Sequence, residues 1–215
     1  MAREGFDPAV VRDAYDAIAP EYAEKFGGDL ERLELDRALL DFLAATAAGG
    51  LVLDAGCGPA QAGGYLAAQG TRVLGVDLSA GMLASAVARH AAVGFRAARA
   101  DLRQLPLPSR SCAGATSLYA LHHLPREDLP AALSEFGRVL APGAVLVLAT
   151  HEGTGEFVAE DNPDIRGTLY TGQELADALT GAGFRSVQIR NRDPLPHERQ
   201  SGRLYATAVA TGWKR

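Results

Sequence analysis

The amino-acid sequence predicts an α/β protein built around a doubly wound, mostly parallel sheet of seven strands. Strand-like and helix-like segments alternate from residue 51 to residue 183, which is typical of consecutive β-α-β units. Residues 144–149 are apolar throughout, as expected of a strand that is covered on both faces. Only residues 191–203 separate the last two strand-like segments, and so short a link favours an antiparallel hairpin at one edge of the sheet.

The hydrophobic pattern places the individual elements of this core. Seven strands are predicted, at residues 51–53, 72–76, 93–98, 112–118, 144–149, 184–190 and 204–210. Helices are predicted between them, one ending near residue 66 and others over residues 79–90, 129–140 and 172–180. Ser79 is of a residue type that commonly caps the N-terminus of a helix.

The first 50 residues are predicted to form a helical lid. Val11, Tyr15 and Ile18 recur at helical spacing, and Pro20 is expected to interrupt that helix. A pair of glycines at residues 27–28 separates it from a second amphipathic helix rich in leucine. A chain of 215 residues is expected to form one domain, with residues 1–50 as the lid and residues 51–215 as the α/β core.

Composition limits the partners and the compartment. The formal charge of -5 gives no electrostatic reason to expect nucleic acid or an anionic membrane as a partner. Two cysteines, Cys57 and Cys112, cannot form a disulfide framework, so a reducing compartment is favoured. The N-terminus lacks the pattern of a signal peptide, and no apolar run is long enough for a membrane span. We therefore expect a cytoplasmic protein.

A glycine-rich turn follows the first predicted strand. Gly56 and Gly58 lie where a doubly wound sheet binds its ligand, at the carboxyl end of a strand, although a tight turn without a ligand would also use glycine. A dinucleotide-binding turn would carry a third glycine where this chain has Gln61. Asp54 would repel a pyrophosphate, whereas its carboxylate suits a ligand with an ammonium or sulfonium group.

Two further acidic residues follow the second and third strands. Asp77 ends the second strand, about where an acidic residue binds ribose hydroxyls in such sheets. The alternative for Asp77 is a capping role at the start of the next helix. Asp101 follows the third strand, and its carboxylate could accept a hydrogen bond from an adenine amino group. By itself, an aspartate at the start of a loop carries little information.

Taken together, these segments resemble the class I S-adenosylmethionine (SAM)-dependent methyltransferases that act on small molecules. The resemblance extends from about residue 10 to the C-terminus, and it implies a Rossmann-like fold, SAM as methyl donor and S-adenosylhomocysteine (SAH) as product. The segments that carry it are Asp54-Ala-Gly-Cys-Gly-Pro, Val76-Asp77-Leu-Ser, Ala100-Asp101-Leu, Leu118-Tyr-Ala-Leu-His-His-Leu, Arg138-Val-Leu-Ala-Pro-Gly-Ala and Tyr15-Asp-Ala-Ile-Ala-Pro-Glu-Tyr22.

The resemblance assigns the glycine turn to the amino acid end of the cofactor. It implies that Asp54, Gly56, Cys57 and Gly58 line the methionine part of SAM. It also implies that Leu118, after the fourth strand, offers its backbone to the same part of the cofactor.

The resemblance assigns the next two loops to the nucleoside. Asp77 would hold the ribose, with Leu78 and Met82 packing near the adenine. Asp101 and Leu102 would meet the adenine edge.

The lid and the loop after the fourth strand complete the implied site. Tyr22, together with Tyr15, would close over the carboxylate of SAM, although Tyr22 could equally serve helix packing. His122 and His123 are candidate general bases because histidine titrates near neutral pH. The alternative is that one histidine packs or caps and the other faces solvent.

Charged residues near the C-terminus suggest a second contribution to acceptor binding. His151 and Glu152 follow the fifth strand and are predicted to face the pocket. Arg192 and Arg203 are candidate ligands of an acidic acceptor, although an ion pair with Glu198 would explain them without any ligand. The spacing of the histidines and the glutamate matches no zinc motif, so we expect no metal.

The acceptor is expected to be a small molecule, bound by a monomer or a homodimer. Two other classes stay open, namely a nicotinamide-dependent oxidoreductase and a non-catalytic SAM-binding protein. Gln61, Asp54 and the lack of a Tyr-x-x-x-Lys pair count against the oxidoreductase. Residues 153–171 are expected to form a mobile loop over the site. Within them, residues 156–167 are expected to order only with substrate.

Overall fold

A computed structural model describes residues 6–196 and 198–212, and it contains the predicted seven-stranded sheet. The strand order is β3-β2-β1-β4-β5-β9-β8. Strands β1 to β5 are parallel, whereas β9 pairs antiparallel with both β5 and β8. The strands are β1 (Leu51–Ala55), β2 (Arg72–Asp77), β3 (Arg96–Arg99), β4 (Cys112–Leu118), β5 (Leu140–His151), β8 (Phe184–Arg192) and β9 (Arg203–Ala210). The α/β fold with an antiparallel edge pair is therefore confirmed.

Helices cover both faces of the sheet. They are α1 (Pro8–Phe26), α2 (Glu34–Ala47), α3 (Gln61–Ala68), α4 (Ala80–Arg89), α5 (Leu129–Val139) and α6 (Gly172–Gly181). Strand β5 shows why its sequence is apolar without alternation. Leu146 and Leu148 face the core under α5 and α6, whereas Val145 and Val147 face the core under α2 and α3. Side chains on both faces of the strand are buried, so the residues of both faces must be apolar.

Helix α1 differs from the prediction because it continues through Pro20. The proline removes one backbone hydrogen bond, to the carbonyl four residues earlier. Its ring is on the exposed side of the helix, whereas Ala19 and Ala23 are buried. Packing of this buried stripe on the α/β core therefore holds the helix together on both sides of Pro20.

Two further boundaries were wrong. The third strand begins at Arg96, because a single 3-10 turn over Ala91–Val93 and a left-handed Gly94 come first. The region after β5, predicted to be a loop, contains an antiparallel hairpin, β6 (Glu156–Val158) with β7 (Arg166–Thr168). Phe157 supplies the reason, since its ring is 9% exposed and packs against the rings of His122 and His151. The ordering of residues 156–167 with substrate stays a prediction.

In the part of the chain that the structure describes, no helix combines the length and the apolar character needed to cross a membrane.

Phe136 of α5 provides a test of the predicted core. Its side chain is fully buried, and Phe136→Ala should lower the free energy of unfolding by about 3–5 kcal/mol because it leaves a cavity. Phe42 of α2 is 48% exposed, so Phe42→Ala serves as a matched control that should change stability by about 0.5 kcal/mol or less. Urea unfolding followed by circular dichroism measures both. Equal losses in the two variants would show that α5 does not pack as described.

Candidate active site

A cavity lies at the carboxyl ends of β1, β2 and β4, under helix α1. Every residue of the predicted cofactor set except Asp54 lines it, as does His123. The sequence reasoning missed several other lining residues, because small, apolar or surface-type side chains in loops carry no distinctive signal. These are Pro8, Val11, Arg12, Pro59, Gln61, Ser79, Ala100, Arg103, Tyr119, Ala120 and Leu124.

The glycine turn forms one end of the cavity. Gly56 has a φ of +70°, and a Cβ there would lie 2.1 Å from the Cβ of Ala120. Only glycine therefore fits between β1 and the loop after β4. The amides of Gly56 and Cys57 donate to the carbonyl of Val76, at 2.7 and 2.9 Å. These bonds join the glycine turn to the end of β2.

Asp77 lies between the glycine turn and the start of α4. Its Oδ2 accepts a hydrogen bond from the Gly58 amide at 2.8 Å, and its Oδ1 accepts one from the Ser79 amide at 2.9 Å. Ser79 then caps α4 by accepting from the Met82 amide. Burial raises the pKa of the Asp77 carboxyl above its usual range. The helix cap considered for Asp77 is therefore supplied by Ser79, whereas the Asp77 carboxylate holds the two loops together and lines the cavity.

Asp54 differs from the prediction because it does not line the cavity. Its side chain is 2% exposed, and its Oδ2 accepts a hydrogen bond of 2.8 Å from the Gly63 amide. Gly63 belongs to the first turn of α3, where backbone amides lack partners within the helix. Burial raises the pKa of Asp54 to about 7. Its carboxylate therefore fixes the start of α3 behind the glycine turn.

The opposite end of the cavity carries charged groups that pair with one another. Asp101 lies 2.6 Å from Arg103, which in turn lies 2.5 Å from Asp128. Hydrogen bonds from Arg103 lower the pKa of the Asp101 carboxyl. An adenine amino group would therefore have to share the Asp101 carboxylate with Arg103.

Helix α1 closes the cavity with two tyrosines. The rings of Tyr15 and Tyr22 meet edge to face with centroids 5.6 Å apart, and both line the cavity. Burial raises the pKa of Tyr22 to about 12 and raises the pKa of Tyr15 well above its ordinary value. Both phenols therefore keep their protons near neutral pH and remain hydrogen-bond donors.

His123 connects α1 to the β6–β7 hairpin. Its Nε2 lies 2.9 Å from the Tyr15 hydroxyl, and its Nδ1 lies 2.6 Å from the carbonyl oxygen of Arg166. A carbonyl only accepts, so Nδ1 carries the proton and the Nε2 of the neutral ring is an acceptor. Burial lowers the pKa of His123 to about 4. At neutral pH the ring can therefore accept a proton or a hydrogen bond at Nε2.

His122 is separated from the cavity by His123. It is 3% exposed and does not line the cavity, and its Nε2 lies 3.0 Å from that of His123. Burial lowers its pKa well below the ordinary value. Of the two candidate bases, only His123 can meet a ligand directly.

The predicted acceptor residues near the C-terminus also lie outside the cavity. His151 contacts the Ser201 hydroxyl at 3.0 Å, and Glu152 accepts from Asn191 at 2.6 Å. Arg192 forms a bidentate pair with Glu198, at 2.7 and 2.8 Å. Arg203 is 4% exposed and lies 3.7 Å from the same carboxylate. The ion-pair alternative is therefore confirmed, and these charges organise the hairpin between β8 and β9.

Within residues 6–196 and 198–212, no group of three or more His, Cys, Asp or Glu side chains is arranged to hold a metal ion.

The fold and the cavity together define an α/β protein whose ligand site lies at the carboxyl ends of the strands. Comparison with known proteins agrees with this class of protein. Residues 52–143 match a family model described as a methyltransferase domain. A malonyl-(acyl-carrier protein) O-methyltransferase of Pectobacterium atrosepticum is 34% identical over 197 residues, covering 90% of this chain and 75% of that relative. The chain belongs to the class I SAM-dependent methyltransferases.

Other relatives are matched over less of their length. A malonyl-(acyl-carrier protein) O-methyltransferase of Yersinia pestis is 39% identical over 102 residues, covering 47% of this chain and only 37% of the relative. Among solved structures, the 1,6-didemethyltoxoflavin-N1-methyltransferase of Burkholderia thailandensis shares the fold, with a TM-score of 0.71 and 24% identity. That match covers 98% of this chain and 93% of the other.

The buried position of Asp54 predicts a pH-dependent stability. A folded-state pKa raised to about 7 means that the native state holds a proton that the unfolded chain has released, so wild-type stability falls as pH rises from about 4 to 7. Asp54→Asn keeps an acceptor for the Gly63 amide and removes this loss. The free energy of unfolding of the variant, relative to that of wild type, should therefore rise by at least about 1 kcal/mol from pH 5 to pH 8.

Urea unfolding at the two pH values measures this difference, and carboxyls that do not interact with Asp54 cancel because both proteins contain them. Asp13→Asn, at a position whose side chain is 67% exposed, is the matched control. A difference between Asp54→Asn and wild type that does not change with pH would contradict the raised pKa.

Proposed function

We propose that the cavity under α1 binds SAM and that the chain methylates a small-molecule acceptor that enters beside Tyr15 and His123. The observation that carries the proposal is the convergence of the glycine turn, Asp77 and Asp101 on one cavity that α1 covers. SAM supplies an electrophilic methyl group on a positively charged sulfur. The acceptor is held in line with that methyl group while α1 and the hairpin exclude water.

The shape and charge of the cavity fit this cofactor. Gly58 has a φ of +52°, and a Cβ there would meet no atom within 4 Å, so the backbone of the turn is open to a ligand. Gly56, Cys57 and Gly58 would line the methionine part, and Asp77 would accept from ribose hydroxyls through its remaining lone pairs. Asp54 would act indirectly by fixing α3, and its carboxylate would favour the nearby positive charge.

The remaining cofactor contacts come from neighbouring loops and from α1. Leu78 and Met82 would pack on the adenine, and Asp101 and Leu102 would meet its edge. The donor hydroxyl of Tyr22 is suited to the carboxylate of SAM.

Tyr15 was predicted to close over the SAM carboxylate together with Tyr22, but its hydroxyl bonds to His123. We therefore assign Tyr15 and His123 to the polar wall on the acceptor side. A hydroxyl acceptor would donate to the Tyr15 oxygen while Tyr15 donates to Nε2 of His123. As the acceptor oxygen takes the methyl group, its proton would pass to Tyr15 and the Tyr15 proton to Nε2. The Arg166 carbonyl supports this role because it fixes the ring and the tautomer of His123.

A second candidate acceptor is a carboxylate carried on an acyl carrier protein, as named for the Pectobacterium atrosepticum relative. The extent of that match, 90% of this chain, favours it. A carboxylate is ionised at neutral pH, so its methylation requires no base. The two arginines of the cavity wall count against it, since both already pair with aspartates.

Calorimetric titration of SAM, SAH and NADH into the protein tests the proposed cofactor site. SAM and SAH should bind with micromolar dissociation constants, and NADH should not bind. Asp77→Asn should weaken SAH binding by about 10-fold or more, the factor expected from a lost hydrogen bond to a charged group. Glu21→Gln, an exposed carboxylate of α1 outside the cavity, is the control. Binding of NADH in place of SAM would contradict the proposed cofactor site.

Methyl transfer from labelled SAM to matched hydroxyl, amine and carboxylate acceptors, including a malonyl thioester, tests the acceptor side. With a hydroxyl acceptor, Tyr15→Phe and His123→Gln should each lower kcat by about 100-fold. SAH affinity should stay within about threefold, since neither change removes a charge. Because the pKa of His123 is about 4, wild-type kcat should stay constant from pH 8 down to about pH 5.

Tyr65→Phe is the control, because the Tyr65 hydroxyl bonds to Asp41 and lies outside the cavity. Transfer to the malonyl thioester with no loss in either variant would favour the carboxylate candidate. SAM binding without transfer to any acceptor would support a non-catalytic protein.

A further inference from the structure

Helix α1 is fastened to the start of α4 by a carboxylate that the cofactor motifs do not include. Oδ1 of Asp16 accepts hydrogen bonds from the Ser79 hydroxyl at 2.5 Å and from the Gly81 amide at 2.8 Å. Partial burial opposes ionisation, but the bonds from Ser79 and Gly81 outweigh it and lower the pKa of Asp16. A charged acceptor therefore lies at the positive end of α4.

The two helices also approach one another unusually closely at this point. A Cβ added to Gly81 would lie 3.0 Å from both the Cβ of Ala19 and the carbonyl oxygen of Asp16. Ala19 is fully buried. One turn further along α1, the carbonyl of Ala23 accepts from Arg89 at 3.3 Å. Small residues thus let α1 pack closely along α4, and Asp16 supplies the carboxylate of that interface.

The contact continues from Asp16 to Asp77 through a single residue. The side chain of Ser79 donates to Asp16, and its amide donates to Oδ1 of Asp77. Asp77 in turn holds the Gly58 amide. One chain of hydrogen bonds therefore joins the glycine turn, the acidic end of β2 and helix α1.

Asp16 also fixes how α1 faces the cavity. Tyr15 is its direct neighbour on the helix, and Tyr22 lies six residues further along, on the side of α1 that lines the cavity. Successive helical residues are rotated by about 100°. Holding Asp16 on α4 therefore sets the rotation that points Tyr15 and Tyr22 into the cavity.

We propose that Asp16 is a positioning residue that latches α1 over the bound cofactor through Ser79 and Asp77. The inference rests on the proposed function, because it takes the cavity to be the SAM site. A cofactor that orders Asp77 would strengthen the bond from Ser79 to Asp16 and close α1. Loss of the latch would then speed cofactor release while leaving the sheet intact.

SAH binding to wild type, Asp16→Asn, Ser79→Ala and the double variant tests the latch. Asp16→Asn should raise the SAH dissociation constant by about 10-fold, mostly through faster dissociation in displacement kinetics. Ser79→Ala should act in the same direction. The SAH dissociation constant of the double variant should be at most about twofold above that of the weaker-binding single variant, because both changes break the same series of hydrogen bonds.

Glu21→Gln, at an exposed position of the same helix outside the cavity, is the matched control, and its SAH affinity should stay within about twofold of wild type. Hydrogen exchange supplies a readout without ligand, since residues 8–26 should exchange faster in Asp16→Asn than in Glu21→Gln. Unchanged SAH affinity in Asp16→Asn, or fully additive losses in the double variant, would overturn the latch. A wild-type chain that does not bind SAH would instead overturn the proposed function, while the exchange measurement would still decide whether Asp16 holds α1.

Discussion

The carboxylate of Asp77 joins the two loops from which the cavity is built. It holds the glycine turn through Gly58 and the start of α4 through Ser79, at the point where β1 and β2 lie side by side. A half-buried carboxylate that satisfies two backbone amides keeps the loops in one arrangement, because leaving either amide unpaired would cost free energy. The position of α1 depends on the same group, since Asp16 reaches the core through Ser79.

The same arrangement determines which ligand the cavity favours. Burial is the main cause that raises the pKa of Cys57 and of Asp54, with smaller additions from Asp54 and Asp77 for Cys57 and from Asp77 for Asp54. The carboxyls behind the glycine turn therefore ionise less readily than they would in water. Taking carboxylates out of water is unfavourable unless a positive charge comes near. A cationic ligand satisfies this requirement, whereas a pyrophosphate would add to the repulsion. The electrostatics of the turn thus separate a sulfonium cofactor from a dinucleotide on closely related folds.

The sequence was sufficient for the sheet, the edge hairpin and about half of the residues that line the cavity. Periodicity and glycine spacing are local signals, and the carboxyl ends of parallel strands meet at one edge whatever the details of packing. Side-chain direction is not a local signal. Asp54 points to the first turn of α3 behind the cavity, although its place in the motif suggested a ligand contact. Likewise, Pro20 lies within a continuous helix because tertiary packing outweighs one missing hydrogen bond.

The acceptor side was the least predictable part of the site, and the reason is physical. His122 and His123 are adjacent in sequence, but only His123 meets the cavity, and its tautomer is set by Arg166, which lies 43 residues further along the chain. The hairpin that brings Arg166 into place is anchored by Phe157, a single aromatic residue in a polar segment. Such long-range contacts leave no periodic trace in the sequence. We infer that the elements of the proposed cofactor wall are specified locally, whereas those of the proposed acceptor side are specified by tertiary packing.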